Sequence, residues 1–286
     1  MDNIKKIITS DGVTSIYFDV HRGWRQVVYL MSDVHFDSVF CARDIYFAHL
    51  KEAKSQNALI FDGGDFFDAM QGRFDPRRSM DELRPEYRRD DYFDFVVADA
   101  AKHLAPYAEN IVLMASGNHE LMVRKNSGTD LTQRLTNELG KNGSKAVNMG
   151  YKGWVRFMMF RSGNPCGSLL LRLSHSGGGQ RAPVTRGVID TNRQAVYLPD
   201  ADVVWNGHIH QGWVVVVPRE RLSNKGTLYQ DYLWFVRSPG YKNDYISDQY
   251  GYSAITVKGP SPIGCIRVEL LYDERPHLSA ELLINN

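Results

Sequence analysis

Cysteine is scarce in this chain. Cys41, Cys166 and Cys265 are the only three, they are odd in number, and none forms a CxxC pair. That spacing argues against a disulfide framework and against a cysteine zinc site, and leaves small buried hydrophobes of a reducing cytoplasm as the expectation. Net charge is lacking too. Lys+Arg is 34 against 33 Asp+Glu, which leaves +1. No global basic field exists to draw the chain onto nucleic acid without selectivity, although a local basic groove stays open. No apolar run approaches the roughly 20 residues of a membrane-spanning helix. The opening MDNIKKIITSDG has no apolar h-region, so no secretory signal is read there. Internal repeats, linkers and low-complexity segments are also absent. A soluble, cytoplasmic protein without a membrane partner is expected, and the oligomeric state is left open.

What is present is an ordinary globular mixture, 43% hydrophobic and 23% charged over 286 residues, enough to bury a sizeable core in one domain spanning 1–286. Short apolar runs dominate the first half. Gln26–Met31, Ala58–Phe61 and Ile111–Ala115 read as buried strands, with helices expected over Asp44–Ser55 and Asp91–Leu104 between them. Strand and helix alternation indicates βαβ units with chemistry at the strand C-terminal ends. The second half is richer in strands, at Gly153–Phe160, Ser168–Ser174, Val203–Asn206, Trp213–Val217, Tyr232–Val236 and Cys265–Leu271, with one further helix at Asp130–Leu139. The fold class expected is α/β, two facing mixed β-sheets flanked by helices. Residues 71–91 hold six Arg, six acidic residues and two Pro. Balanced charge reads as a solvated insertion, with a lid as the sharper alternative. The part from 211 to 286 is rich in β-type and aromatic residues. Six Tyr, one Trp and one Phe fall between Tyr229 and Tyr252, as core and edge filler or as a stacking surface for bases.

Each apolar run of the first half ends in a polar cluster. Asp33 and His35 form a D-x-H pair after QVVYLM. On an extended strand residues i and i+2 face one way, so this carboxylate and imidazole would converge as a metal pair requires. Gly63-Gly64-Asp65 follows ALIF, and the glycines would let the backbone turn tightly before Asp65. Gly117-Asn118-His119-Glu120 follows IVLMA, His175 follows SLLLRLS, and Gly207-His208-Ile209-His210 follows VVWN. Each block alone is weak or moderate; five in a row are not. Mixed oxygen and nitrogen donors suit transition ions rather than Ca²⁺ or Mg²⁺ alone. One central carboxylate could bridge two ions roughly 3.5–4 Å apart. The triple glycine Gly177–Gly179 with Arg181 and Arg186 is a further candidate for phosphate contact.

With DVH, GGD, GNHE, a lone His and GHIH in this order, residues 33–210 resemble the calcineurin-like metallophosphoesterases. The resemblance implies two mixed sheets flanked by helices with a dinuclear site at their edge. It implies Asp33, His35, Asp65 and His210 on one ion and Asp65, Asn118, His175 and His208 on the other, with Asp65 bridging. The two divalent ions are expected to be Mn, with Fe, Zn or Ni as alternatives. Such ions would neutralise a phosphate ester and yield hydroxide near neutral pH as nucleophile. His119 would protonate the leaving group or stabilise its charge. Asp37, Asp68 and Glu120 are candidates to orient the ligand histidines.

The phosphoprotein phosphatases of this family carry Arg where Ala69 and Ser116 stand here, and they lack a G-H-x-H ending. The G-H-x-H ending resembles the phosphodiesterases and the nuclease branch. A phosphodiesterase acting on a nucleotide or nucleic acid is therefore favoured over a small-molecule phosphomonoesterase. A non-catalytic scaffold is the third alternative, disfavoured because such scaffolds lose ligands and every block is intact here.

Overall fold

The computed structural model describes residues 4–69, 80–176, 184–243, 245 and 259–285. The chain opens with a hairpin, β1 (Ile4–Ser10) and β2 (Val13–Asp19), joined by Asp11-Gly12. Both turn residues have positive φ, 50° and 76°, as a two-residue type I′ turn demands. Then follow β3 (Trp24–Met31), α1 (Arg43–Ser55), β4 (Leu59–Asp62), α2 (Tyr92–Leu104), β5 (Ile111–Met114), α3 (Asn118–Ser127), α4 (Leu131–Gly140) and the short β6 (Val147–Asn148). The second half comprises β7 (Lys152–Arg161), β8 (Asn164–Ser174), α5 (Val188–Asn192), β9 (Val203–Asn206), β10 (Trp213–Leu222), β11 (Leu228–Arg237), β12 (Ile263–Tyr272) and β13 (Pro276–Asn285).

These strands build two mixed sheets. One runs β1-β2-β7-β8-β9-β11-β10 and the other β13-β12-β3-β4-β5-β6. In the second, β3 to β6 are parallel, and β12 closes antiparallel on β3. The strand period of two sorts the apolar side chains. Val28 and Leu30 of β3 face the other sheet with Phe61, Val112, Phe157, Leu171, Trp205 and Ile266. Val27, Tyr29 and Met31 face the opposite way, against Leu50 of α1, Val96 of α2 and Leu135 of α4. A strand buried on both faces has no polar side to spare, which explains its unbroken run VVYLM. Each fully buried side chain such as Phe61 contributes ~1.5–3 kcal/mol. A smaller cluster joins Ala201, Val204, Leu233 and Phe235, with Ala195 and Leu198 packed against it. The expected class of two facing mixed sheets flanked by helices is thus what the chain adopts. No helix among the described residues is long and apolar enough to cross a membrane. Cys41 and Cys265 are buried, and all three cysteines are free thiols.

Of the charged stretch 71–91, residues 71–79 lie outside the described residues, as do Gly177–Gly179, Arg181 and most of the aromatic stretch beyond Asn243. Leu83 and Tyr87 are buried against the core, and Arg84 donates to the main chain of Ser38 and Cys41. Exposed Arg186 lies just before α5, and Trp213 donates to its carbonyl.

What matters for chemistry is where the strands end. The parallel strands β3, β4 and β5 stop along one edge at Met31, Asp62 and Met114, and β8 and β9, parallel to each other, stop at Ser174 and Asn206. The five motif blocks are the five loops that follow.

Candidate metal centre

These loops are tied to one another by main-chain hydrogen bonds. Asp33 N–H donates to Gly64 O (2.9 Å), His35 N–H to Asp65 O (3.1 Å) and Gly63 N–H to Met31 O (2.7 Å). From the other sheet, Gly207 N–H donates to His175 O (3.0 Å) and Tyr241 N–H to Asp33 O (2.9 Å). Two glycines make room. Gly64 has φ +102°, and a Cβ there would lie 2.6 Å from Gly117 N, while a Cβ on Gly117 would meet the Asp65 carboxylate at 2.0 Å.

The local conformation corrects the reading of D-x-H and H-x-H as extended. Asp33 (φ 55°), His35 (φ 49°), Asp65 (φ 52°), His208 (φ 72°) and His210 (φ 52°) all occupy the left-handed region. Asp and His tolerate this region better than most residues, yet it costs of order 1–3 kcal/mol each and persists only where surrounding bonds enforce it. Side chains of i and i+2 therefore converge because left-handed residues bracket Val34 and Ile209, after the strands have ended.

The structure gathers the donor atoms closely. Asp33, His35 and His210 form one group with all donor atoms within 4.8 Å of one another, Asp65, His175 and His208 form a second, and His35, Asp65 and His119 a third. Individual contacts are 3.3 Å from His210 Nε2 to Asp33 Oδ1, 3.0 Å from His175 Nε2 to Asp65 Oδ2, and 3.4 Å between the Nε2 atoms of His35 and His210. Asp33, Asp65, His35 and His175 are buried, and His208 and His210 are half-buried. Asn118, the first residue of α3, is half-buried beside His119. His119 joins the donor groups by distance, so its separation from the ligands does not follow from position alone. Of the histidines outside the motifs, His49 is buried on the Tyr241 hydroxyl, and His21, His103 and His277 are exposed.

The donor set fits cations. His175 Nδ1–H donates to Gly63 O (2.9 Å), which turns Nε2 toward Asp65; protonated, that nitrogen donates to the carboxylate, and in the neutral ring it offers its lone pair to a cation. Burial would raise the Asp33 and Asp65 carboxyls, but adjacent imidazoles, His210 and His175 for Asp33 and His175 and His119 for Asp65, hold both below the usual range. Burial would likewise lower His175, yet Asp65 and Asp33 raise it from 6.5 to about 10. His35 is lowered to about 4, chiefly by burial against the opposing pull of Asp68.

A pH dependence follows with a definite sign. In metal-free protein the protonated His175 contributes stability that is full below pH 6.5 and is lost as pH rises toward 10. A divalent ion held by His175 would need the neutral ring and would displace that proton. The rise in Tm on adding Mn²⁺ to EDTA-treated protein should therefore grow between pH 6.5 and 8.5. Thermal melts at fixed Mn²⁺ check this, and a flat or shrinking increment contradicts it.

Of the three carboxylates expected behind the ligands, only Asp68 reaches histidines. Its Oδ1 lies 2.6 Å from His35 Nδ1, and its main-chain O accepts from His119 Nδ1 (2.6 Å). Glu120 instead accepts from the amides of Phe67 (2.8 Å), Gly117 (2.8 Å) and Asp65 (3.1 Å). Asp37 accepts from the amides of Asp68 (2.6 Å) and Ala69 (3.0 Å) and from the Tyr92 hydroxyl. They hold the 65–69 loop rather than a ring. Sequence reasoning missed Ser32, which donates to Asp33, and Lys242, whose ammonium lies 3.1 Å from Asp68. Neither belongs to a motif.

No family model matches the chain, and no curated protein matches it. Among solved structures it is similar to vacuolar protein sorting 29 from Cryptosporidium parvum, at 14% identity over 93% of this chain and 100% of that one, with a TM-score of 0.37. It is similar to the Zn²⁺ complex of Vps29 from Entamoeba histolytica, at 8% identity over 90% and 99%, with a TM-score of 0.36. A metallophosphoesterase from Sphaerobacter thermophilus shares 12% identity over 91% and 90%, with a TM-score of 0.36. Likenesses this distant transfer no function. The chain's own fold, two mixed sheets flanked by helices, carries at its edge a cluster of His and Asp that is a candidate metal-binding centre. The particular family that its sandwich and ordered motifs resemble is that of the calcineurin-like metallophosphoesterases.

Proposed function

We propose that the chain is a dinuclear-metal phosphoester hydrolase built as one domain, and that it favours phosphodiesters of a nucleotide or nucleic-acid substrate. The observation that carries this reading is the pair of donor groups, Asp33/His35/His210 and Asp65/His175/His208, with Asp65 also within reach of His35. Asp33, His35, Asp65 and His210 would hold one ion and Asp65, Asn118, His175 and His208 the other. Oxygen and nitrogen donors together favour Mn²⁺, with Fe, Zn²⁺ or Ni²⁺ as substitutes. When bound, such ions neutralise phosphoryl oxygens and acidify water.

The chain's own residues do the rest. His119 Nδ1–H is engaged by Asp68 O, so Nε2 is the nitrogen left to hold or deliver a proton. That atom is 3.9 Å from Asp65 Oδ2 and so stands beside the donor cluster, where a departing oxygen would need it. The diester preference is supported by the positions of Ala69 and Ser116. Both are buried, and Ser116 Oγ donates to Thr132 Oγ1 (3.0 Å), so neither offers a guanidinium to a monoester dianion.

Bis-p-nitrophenyl phosphate should be hydrolysed in the presence of Mn²⁺, faster than p-nitrophenyl phosphate, and EDTA should abolish both activities. Turnover surviving complete metal removal refutes the hydrolase reading. A faster monoester reverses the substrate preference.

A further inference from the structure

Lys242 is a lysine in an unusual setting. Its side chain is 8% exposed, and it carries its charge into the layer directly behind the metal centre. Its Nζ lies 3.1 Å from Asp68 Oδ1, 3.4 Å from Asp68 Oδ2 and 3.2 Å from Glu82 Oε2. The main chain fixes it there. Ala42 N–H donates to Tyr241 O (2.8 Å), Asn243 N–H donates to Phe40 O (2.8 Å), and Lys242 forms a bridge with Cys41. Its neighbour Tyr241 is bonded to Asp33 O, so the lysine is tied to the DVH loop itself.

Burying an ammonium costs several kcal/mol unless it is well paired, and replacing a purely structural buried ion pair with apolar residues is often neutral. The partner here is not an arbitrary carboxylate. Among the described residues, Asp68 is the acidic side chain behind the site that contacts a proposed ligand histidine, at 2.6 Å from His35 Nδ1, and its carbonyl accepts from His119 Nδ1. Glu82, Lys242, Asp68 and His35 thus form a line of four charged or polar side chains that ends on the ring facing His210. Carboxylates behind a metal-bound histidine fix its tautomer and ring orientation, and their loss costs 10–100-fold in affinity. A carboxylate does that only while its own rotamer is held.

We propose that Lys242 is a positioning residue of the metal centre: clamped between Asp68 and Glu82, it fixes the carboxylate that orients His35. Without the ammonium the Asp68 side chain loses its second anchor, and the His35 ring loses a fixed acceptor. The ion held by Asp33, His35 and His210 is then bound more weakly, whereas the ion at His175, whose Nδ1 is held by Gly63 O, is kept. This inference rests on His35 being a metal ligand, as proposed above.

The test is calorimetric titration of metal-free protein with Co²⁺, comparing wild type with Lys242→Met and following the Co²⁺ absorption bands in parallel. In Lys242→Met one of two binding events should weaken by about 10–100-fold, with a changed spectrum for that site, while the other event is unaltered. A folded Lys242→Met that binds both ions with wild-type affinity and loses only Tm would overturn the proposal and leave an ion pair serving the fold. Wild type that binds no Co²⁺ overturns the ligand reading, and this proposal with it. Should the methionine variant not fold, Lys242→Gln keeps a donor toward Asp68 without the charge. It should weaken the same event about tenfold, the lower end of that range, and wild-type affinity there also overturns the proposal.

Discussion

Asp65→Asn should yield a folded protein whose kcat on bis-p-nitrophenyl phosphate falls by roughly 10²–10³-fold or more, the scale of losing one preorganised electrostatic group. Among the described residues, Asp65 is the carboxylate that shares donor groups with both His35 and the His175/His208 pair, which is the placement a bridging ligand of two ions would need. Asparagine keeps the shape. Its amide oxygen still accepts from His119 N–H, which bonds Asp65 Oδ1 at 2.9 Å, and the Asp65 main-chain bond to Glu120 is untouched. The charge is what disappears, together with the acceptor that faces His175 Nε2 at 3.0 Å. Elemental analysis should find fewer ions per chain than in wild type, and the Mn²⁺-induced rise in Tm should shrink. A variant with full activity and full metal content would sink the bridging role.

The Asp and His residues that the structure gathers stood out in the sequence; the way the backbone brings them together did not. D-x-H and G-H-x-H were readable because their spacing is unusual. The expected cause, a shared strand face, is replaced by alternating left-handed residues at Asp33, His35, His208 and His210. Such a conformation is imposed by bonds between loops, such as Asp33 N–H to Gly64 O, and no local pattern announces a partner 31 residues away. Strands buried on both faces, such as β3 and β9, stood out as continuous apolar runs. The opening hairpin did not. β1 and β2 carry mixed polar faces, and the Asp11-Gly12 turn between them was the available signal. Helix α3 went unread because only His119, Glu120 and Val123 are buried, too few for an apolar stripe. Its end was marked by Gly128, left-handed at φ 69°. Lys242 had no signal at all, because a buried lysine is defined by Asp68 and Glu82, each more than 150 positions earlier.

His119→Ala should keep metal content near wild type while kcat falls by roughly 10²–10⁴-fold, the usual worth of a positioned general acid. His119 is the second residue of α3, and its Nδ1–H donates to Asp68 O. That leaves a single nitrogen, Nε2, for the cleft. It is 3.9 Å from Asp65 Oδ2, too long for a hydrogen bond but close enough to stand over the same substrate oxygens. An acid and a charge stabiliser make different predictions from this position. Alkoxide-like leaving groups need a proton in the transition state, whereas p-nitrophenolate departs without one. If His119 is the acid, the loss is therefore largest for alkyl or nucleoside leaving groups and smallest for p-nitrophenyl esters. The measurement is kcat for a series of diesters of graded leaving-group pKa in wild type and variant. The variant's rate should depend more steeply on leaving-group pKa. Equal losses across the series remove the acid role and leave stabilisation of charge. His119 also shares a donor group with His35 and Asp65, so metal content is measured on the same samples. A variant that has lost an ion makes His119 a ligand, and the division of labour between His119 and the other six histidines and aspartates of the centre is then wrong.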